Sequence, residues 1–375
     1  MRSRAALLGA WLLLVAAAQS PGAASRIDGG DTAGGGGAGE QTQAPSTEPP
    51  EPGEQYPASV AEQERASTPD GARRRATRRG GADWRLTVDA SVVADSNITN
   101  STDAESVDLS LDGVILPVPL DPSLRERSGI GVGVSASLRG RVPVAPGVSA
   151  AVDAEGFVLE QQGDRADDAS ALIAAGVEAQ VPGGGTVLVQ ATAFERSYAG
   201  VSAMRGAGLR ARYRQPLGEG EALSLFIDAR FFDSDYGDDF GGSEAGIYLT
   251  YEAVIDPTLS GSAGVYARAS WLGADAYSSR EFGVHGGLSH YLTADLIGGV
   301  TGGLGRTHYD GPILLLSPDA RADWRAYASL YVATRRPLLA GLTPSLTYTY
   351  NRTSSSIEFY GADRHRLRFG LSRTF

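Results

Sequence analysis

The stretch RHRLRFGLSRTF, residues 364–375, decides the fold of this chain. Successive side chains of a β-strand point to opposite faces, so a period of two predicts a strand rather than a helix. The apolar face of this stretch holds Leu367, Phe369, Leu371 and Phe375, and the polar face holds Arg366, Arg368, Gly370, Ser372 and Thr374. A strand with these two faces suits a wall that has lipid on one side and water on the other.

The last residue, Phe375, is aromatic, which is typical of the final strand of a bacterial outer-membrane barrel. In such barrels a terminal Phe commonly serves as an assembly signal. We therefore expect the barrel assembly machinery to bind the C-terminal strand and outer-membrane lipids to surround the protein. The last strand of a soluble β-sandwich is the alternative that this stretch leaves open.

The composition narrows the classes of protein that the chain can be. Charged residues make up 21% and hydrophobic residues 42% of 375 residues, which excludes a wholly disordered chain and a helical membrane protein. The 33 cationic side chains are all Arg, which stays charged wherever it lies. A net charge of -11 argues against nucleic acid as a partner. The absence of Cys excludes disulfides, thiolate metal sites and a lipid-bearing N-terminal Cys.

Residues 1–24 are typical of a secretory signal peptide. Arg2 and Arg4 precede an apolar run at residues 5–18, and we expect cleavage after Ala18 or Ala24. This run is shorter than the roughly 20 residues that a membrane-spanning helix needs, although an uncleaved anchor is the alternative.

Residues 25–82 are rich in Gly, Pro, Ser and Glu and contain too little apolar surface to fold. We expect a disordered arm in the periplasm. Five arginines between residues 73 and 79 either bind anionic headgroups or an acidic partner, or serve as a solvated basic spacer.

From residue 83 to residue 375, apolar and polar residues alternate in about fourteen segments. Each is long enough for the roughly 9–11 residues with which a tilted strand crosses a bilayer. Short Pro- and Gly-rich turns, among them residues 143–147 and 216–220, alternate with generally longer polar loops, of which residues 95–127 form the longest. The pattern predicts an all-β fold, a transmembrane up-and-down antiparallel β-barrel with the arm on the periplasmic side. Aromatic girdles are predicted at Trp84, Tyr213, Tyr251, Trp271, Tyr348 and Tyr350.

Charged side chains recur on the polar face of these segments, and we expect them to line a hydrated lumen. On the lipid side each would cost about 2–4 kcal/mol at the membrane midplane. The candidates are Arg139, Arg141, Asp153, Glu155, Glu178, Arg210, Arg212, Arg214, Asp228, Arg230, Glu252, Arg268, Arg325, Arg366 and Arg368. They either steer an anionic solute or grip a polypeptide, or they only keep the interior hydrated and the strands in register.

No catalytic constellation stands out, so we expect neither an enzyme nor a cofactor. His285 and His290 lie five residues apart on one predicted strand and therefore face opposite ways. Together with His308 and His365 they lack the spacing of metal ligands, so no metal site is predicted. The acidic residues 233–239 lack the offsets and the closing Glu of a calcium loop, which favours a solvated loop.

The two ends of the predicted barrel resemble a known family. Residues 95–100, DSNITN, following Trp84, are similar to the opening of the C-terminal barrel of surface lipoprotein assembly modifiers. Residues 348–375 look like the closing hairpin of that barrel. The positions that carry the resemblance are Trp84, Asp95, Asn97, Asn100, Asn351 and Phe375. The resemblance implies a fourteen-stranded barrel that moves lipoproteins across the outer membrane for surface display, with a lipoprotein client as partner.

The chain departs from this family in the region before the barrel. Family members usually carry a helical-repeat domain there, whereas residues 25–82 have no repeat period. The charged lumen motivates an alternative function, a porin-like channel for small solutes. The sequence leaves open whether residues 95–127 fold inward as a plug.

Overall fold

The computed structural model describes residues 81–111, 114–162, 167–338 and 341–375. The predicted signal peptide and all but the end of the predicted arm lie outside the described residues, so both stay predictions. In the described ranges, no helix is long and apolar enough to cross a membrane.

Sixteen strands make up most of the described chain, together with short 3₁₀ turns at Pro122–Leu124, Asp238–Phe240 and Glu358–Tyr360. The strands are β1 Asp83–Asp95, β2 Ser106–Leu111, β3 Val114–Pro119, β4 Gly129–Ala145, β5 Val148–Gln161, β6 Asp168–Gln180, β7 Thr186–Tyr198, β8 Val201–Gly218, β9 Glu221–Asp233, β10 Gly242–Val254, β11 Leu259–Leu272, β12 Ser279–Tyr291, β13 Leu296–Pro312, β14 Ala320–Thr334, β15 Thr343–Ser355 and β16 Ala362–Thr374.

One closed antiparallel barrel contains fourteen of these described strands, and β2 and β3 form a separate hairpin. Each barrel strand pairs with its neighbours along the chain, and β1 closes the cylinder by pairing with both β4 and β16. Closure leaves no unpaired strand edge in the wall, as a membrane requires. The predicted up-and-down barrel of fourteen strands is confirmed.

The two faces of the wall differ as the alternation predicts. Large apolar side chains on the outer face are open to the surroundings, with Leu209 61% and Phe231 70% exposed. The inner face is identified by contacts between distant strands, because such side chains can meet only inside the cylinder. Arg210 on β8 reaches Asp153 on β5 in this way.

We name the two ends of the barrel by what lies there. The arm end holds the start of β1, the end of β16 and the short turns, and the loop end holds the connections after Asp95, Gln161 and Ser355. The short turns were predicted to begin at Pro143 and Pro216, but β4 and β8 continue past these residues. The pairing register shifts at both prolines, because a residue without an N–H group fits a strand at an irregularity.

Residues 95–127 were predicted to be a polar loop, and this prediction was incomplete. The hairpin of β2 and β3 lies within them, with Leu109 facing Leu116 and Val107 facing Val118. The β-branched and apolar residues of β3 suit a strand, but they form too short a run to stand out within a polar segment. Its Pro117 and Pro119 face residues of β2 in the register, although neither can donate a backbone hydrogen bond.

Candidate functional site

The seam between β1 and β16 is fastened at the loop end around Asp95, whose side chain is 0% exposed. Arg364 donates to Asp95 through Nη2 at 2.7 Å and through Nε at 3.0 Å, and Arg366 Nε lies 3.1 Å from Oδ2. Charge-assisted bonds of this kind are about twice as strong as neutral ones. The first and last barrel strands are thus joined by side chains as well as by their backbones.

Asn97 extends this junction into the segment that follows β1. Its buried side chain donates to the carbonyl oxygens of Ser101 at 2.7 Å and Asp363 at 3.1 Å, and its backbone N–H donates to Asp95 Oδ1 at 3.0 Å. Asn100 closes the turn at a φ of 49°, a left-handed conformation that Asn tolerates better than most residues. Three of the positions that resemble the family therefore build one buried junction.

The other resemblance positions are dispersed. Trp84 lies on the outer face at the arm end, where its ring covers Gly140 so closely that a Cβ there would lie 2.3 Å away. Asn351 is buried on the inner face of β15. Phe375 is 63% exposed, exchanges backbone hydrogen bonds with Leu86, and has the guanidinium of Arg373 4.7 Å from its ring centroid.

The segment between β1 and β4, residues 96–128, lies across the loop end, and we call it the lid. Thr102 donates to the carbonyl oxygen of Glu358 at 3.3 Å, in the β15–β16 connection. Tyr198 at the end of β7 donates to the carbonyl oxygen of Ile98 at 3.4 Å. The backbone N–H of Ser110 donates to Leu315 O at 2.8 Å, in the β13–β14 connection. The described part of the lid therefore contacts strand ends and connections on several sides of the loop end.

A tyrosine in the β9–β10 connection supports this arrangement. The hydroxyl of Tyr236 donates to the carbonyl oxygen of Tyr198 at 2.9 Å. Burial raises the pKa of Tyr236 to about 12, so the hydroxyl keeps its proton at neutral pH. This bond holds the residue that contacts Ile98 of the lid.

Inside the barrel, Asp153 is the centre of a network on β4, β5, β7 and β8. Its side chain is 5% exposed and accepts from Arg141 Nη1 at 2.8 Å, Arg210 Nη2 at 2.9 Å and Gln190 Nε2 at 2.9 Å. Arg139 Nε lies 3.6 Å away, and Gln190 in turn accepts from Arg210 Nε at 2.8 Å. Several cations of the lumen wall thus share a single carboxylate.

A second network lines β9 to β14. Arg230 lies 2.6 Å from Asp228 and 3.4 Å from Glu244. Arg325 lies 3.5 Å from Glu281, which also accepts from the hydroxyl of Tyr266 at 2.6 Å. The sequence prediction missed Glu244, Glu281 and Gln190 because the first two lie close to strand ends and the third carries no charge.

All the predicted lumen charges lie on the inward face, and the structure joins most of them in pairs. Arg141 meets Glu178 at 3.0 Å and Arg214 meets Glu252 at 3.0 Å. Arg368 pairs with Asp89, Arg268 is cross-strand to Glu281, and Glu155 is exposed towards the lumen. The guanidinium of Arg212 lies 5.8 Å from the ring centroid of Phe226. The action of these groups on a passing solute or polypeptide stays a prediction.

An aromatic row that the sequence did not predict crosses β9 to β12 on the inner face. Ring centroids are 5.8 Å apart between Phe226 and Tyr248, 5.7 Å between Tyr248 and Tyr266, and 6.3 Å between Tyr266 and His285. The Tyr266 ring covers Gly283, where a Cβ would lie 2.4 Å from it. In the described part of the chain, no group of three His or acidic side chains could hold a metal ion.

The chain is similar to a number of solved structures, including two outer-membrane proteins and OccK1. The outer membrane channel DcaP of Acinetobacter baumannii shares 13% identity at a TM-score of 0.43, covering 80% of this chain and 99% of that one. A loop-deletion mutant of OmpT of Vibrio cholerae shares 9% identity at a TM-score of 0.42, and the match covers 79% of this chain and 100% of that one. OccK1 of Pseudomonas aeruginosa shares 12% identity at a TM-score of 0.38, and the match covers 78% of this chain and 98% of that one. At identities and TM-scores this low, the similarity to these structures says nothing about the function of this chain.

The comparison with curated sequences finds no match. The family model described as surface lipoprotein assembly modifier matches residues 84–375. This match begins one residue into β1 and includes the junction around Asp95, the lumen networks and the whole of β16. The chain is therefore an outer-membrane β-barrel that belongs to the surface lipoprotein assembly modifier family.

Proposed function

We propose that this barrel helps lipoproteins to cross the outer membrane and reach the cell surface. The observation that carries the proposal is the family match over the complete barrel, from residue 84 to residue 375. In this proposal the charge-lined lumen supplies a polar route through the membrane, and the lid lies at its loop end. In this proposal the loop end faces the cell exterior and the arm lies in the periplasm.

The experiment removes the gene and measures surface lipoproteins by protease shaving and by a membrane-impermeant label on intact cells. We expect at least one lipoprotein to lose its surface exposure while its total amount persists. Re-expression of the full chain should restore it. Unchanged display of every surface lipoprotein would overturn the proposal.

We expect the polypeptide to pass through the lumen rather than through an opened seam, because the seam is fastened at both ends. Thr87 and Thr374 face each other across the seam with their hydroxyl oxygens 3.0 Å apart. The variant Thr87→Cys/Thr374→Cys should form a disulfide, since directly opposed residues have the required spacing and the chain contains no other Cys. Display should persist in this locked barrel, as measured by shaving.

The control for the seam lock is each single Cys variant, which cannot form an intramolecular bridge. Loss of display in the double variant that recovers on mild reduction would show that the seam must open. That outcome would contradict passage through the lumen while leaving the display function in place.

The lumen also favours a second function, diffusion of small solutes, because charged side chains recur around its inner wall. Here we expect deletion of the lid hairpin, residues 106–119, to increase single-channel conductance in planar bilayers. Ser110 of the hairpin contacts Leu315 in the β13–β14 connection. Removal of the hairpin should therefore widen access to the lumen. The full-length barrel is the reference, and absence of conductance steps from both proteins would argue against a solute channel.

A further inference from the structure

The outer face of β12 and β13 near the loop end carries basic side chains where most of the outer wall is apolar. Arg280 on β12 faces His308 on β13 in the register, and Arg306 lies two residues from His308 on the same face. The Arg280 side chain is 64% exposed. Arg306 is held with its guanidinium 5.0 Å from the ring centroid of Trp324.

This basic patch lies on β12 and β13; the outward Arg352 on β15 lies 3.8 Å from an acidic neighbour, Asp363. Asp310 on the same face lies 3.7 Å from Arg280, which leaves cationic character in excess. On the far side of the barrel, the outward charged positions at the corresponding level are Glu160, Glu195, Arg205 and Asp233. The chain as a whole has a net charge of -11, so a basic cluster on the lipid-facing wall is not a consequence of its composition.

Apolar surface continues directly from the patch towards the middle of the wall. Phe282 is 62% exposed, Val284 53% and Leu304 46%. Gly286 and Gly302 face each other in the next outward row. A Cβ at either glycine would have only backbone atoms within 4 Å, so the two form the floor of a shallow groove between larger side chains.

We propose that this face binds an anionic membrane lipid through its phosphate group. Arg280, Arg306 and His308 supply donors for the phosphate oxygens, as Arg does at phosphate sites generally. The acyl chains lie over Phe282, Val284 and Leu304. Phosphate next to apolar surface is the chemistry of a lipid and not of a free anion. The proposal requires the barrel to be in a membrane, but it does not depend on lipoprotein transport.

The test is native mass spectrometry of the full-length barrel in detergent, titrated with phosphatidylglycerol, phosphatidylcholine, lipid A or inorganic phosphate. We expect the two anionic lipids to be retained over phosphatidylcholine, and inorganic phosphate to compete poorly. Each arginine should contribute about fivefold to retention, so Arg280→Gln/Arg306→Gln should lose about 25-fold. Arg280→Lys/Arg306→Lys should keep most of the preference, because it keeps the charge.

The matched control is Arg336→Gln, since Arg336 is similarly exposed at 73% and has an acidic partner, Asp295, but lies at the arm end. It should bind phosphatidylglycerol like the unmodified protein. If the double Gln variant does not fold, the salt dependence of the unmodified barrel decides, because an electrostatic site must weaken as ionic strength rises. Equal retention of both phospholipids, unchanged retention by a folded double variant, or displacement by inorganic phosphate at matched concentration would overturn the proposal.

Discussion

Replacing Asp95 with Ala should destabilise the barrel by about 3–5 kcal/mol, because it removes the buried carboxylate that Arg364 and Arg366 share. Arg364 and Arg366 are 10% and 21% exposed, and both direct N–H groups at the fully buried carboxylate. Loss of Asp95 also removes the acceptor for the backbone N–H of Asn97, where the lid begins. The effect should therefore combine a weaker seam with a looser lid.

The measurement is urea unfolding of the refolded barrel followed by Trp fluorescence, with migration of unheated samples on gels as a second readout. The matched control is Asp295→Ala, because Asp295 also pairs with an arginine at 3.0 Å but is 56% exposed. Exposed pairs contribute roughly 0–1 kcal/mol, so this control should unfold almost like the unmodified protein. Equal unfolding midpoints for the two variants would contradict the assigned role of Asp95.

The second large effect is expected at Asp153, in the lumen. Asp153→Ala should destabilise the barrel by about 3–5 kcal/mol, since Arg141 and Arg210 would then lie close together without their shared carboxylate. The side chains of these arginines are both 17% exposed, so water screens them incompletely. The lost negative charge should also shift ion selectivity towards anions.

Glu252→Ala provides the comparison for Asp153, because it removes the same charge from a more open pair with Arg214. Their side chains are 20% and 37% exposed, which predicts a stability loss below about 1 kcal/mol. Reversal potentials in a salt gradient should shift in the same direction for both variants, whereas unfolding should separate them. Equal losses of unfolding free energy in the two variants would show that the burial of Asp153 does not add to its stabilising effect.

The barrel itself could be predicted from the sequence because each wall strand has lipid on one side and water on the other. Leu367, Phe369 and Leu371 illustrate this, since they alternate with Arg368 and Gly370 and the pairing with β1 places them outward. The ends of the strands were harder to predict. A strand can continue through Pro143 by shifting its pairing register, and no local sequence pattern reveals such a shift. The hairpin of β2 and β3 was missed because it belongs to the lid and not to the wall.

For the candidate site, the sequence predicts which face a side chain occupies but not its partner. Arg210 and Asp153 are 57 residues apart and meet because the wall curves and β8 comes within reach of β5. Such contacts depend on the register of every strand between them. Gln190 was invisible for another reason: a neutral amide in an alternating strand has no distinctive pattern, yet it bonds to both members of that pair.

The prolines of the lid hairpin have a consequence for neighbouring barrels. The N–H of Leu120 donates to Glu105 O, so the backbone groups at positions 117 and 119 of β3 point away from β2 towards the open margin of the hairpin. At both positions that margin has a proline ring where a donor would be. Adjacent copies in a crowded bilayer therefore cannot pair their hairpins through the β3 margin at either of these positions.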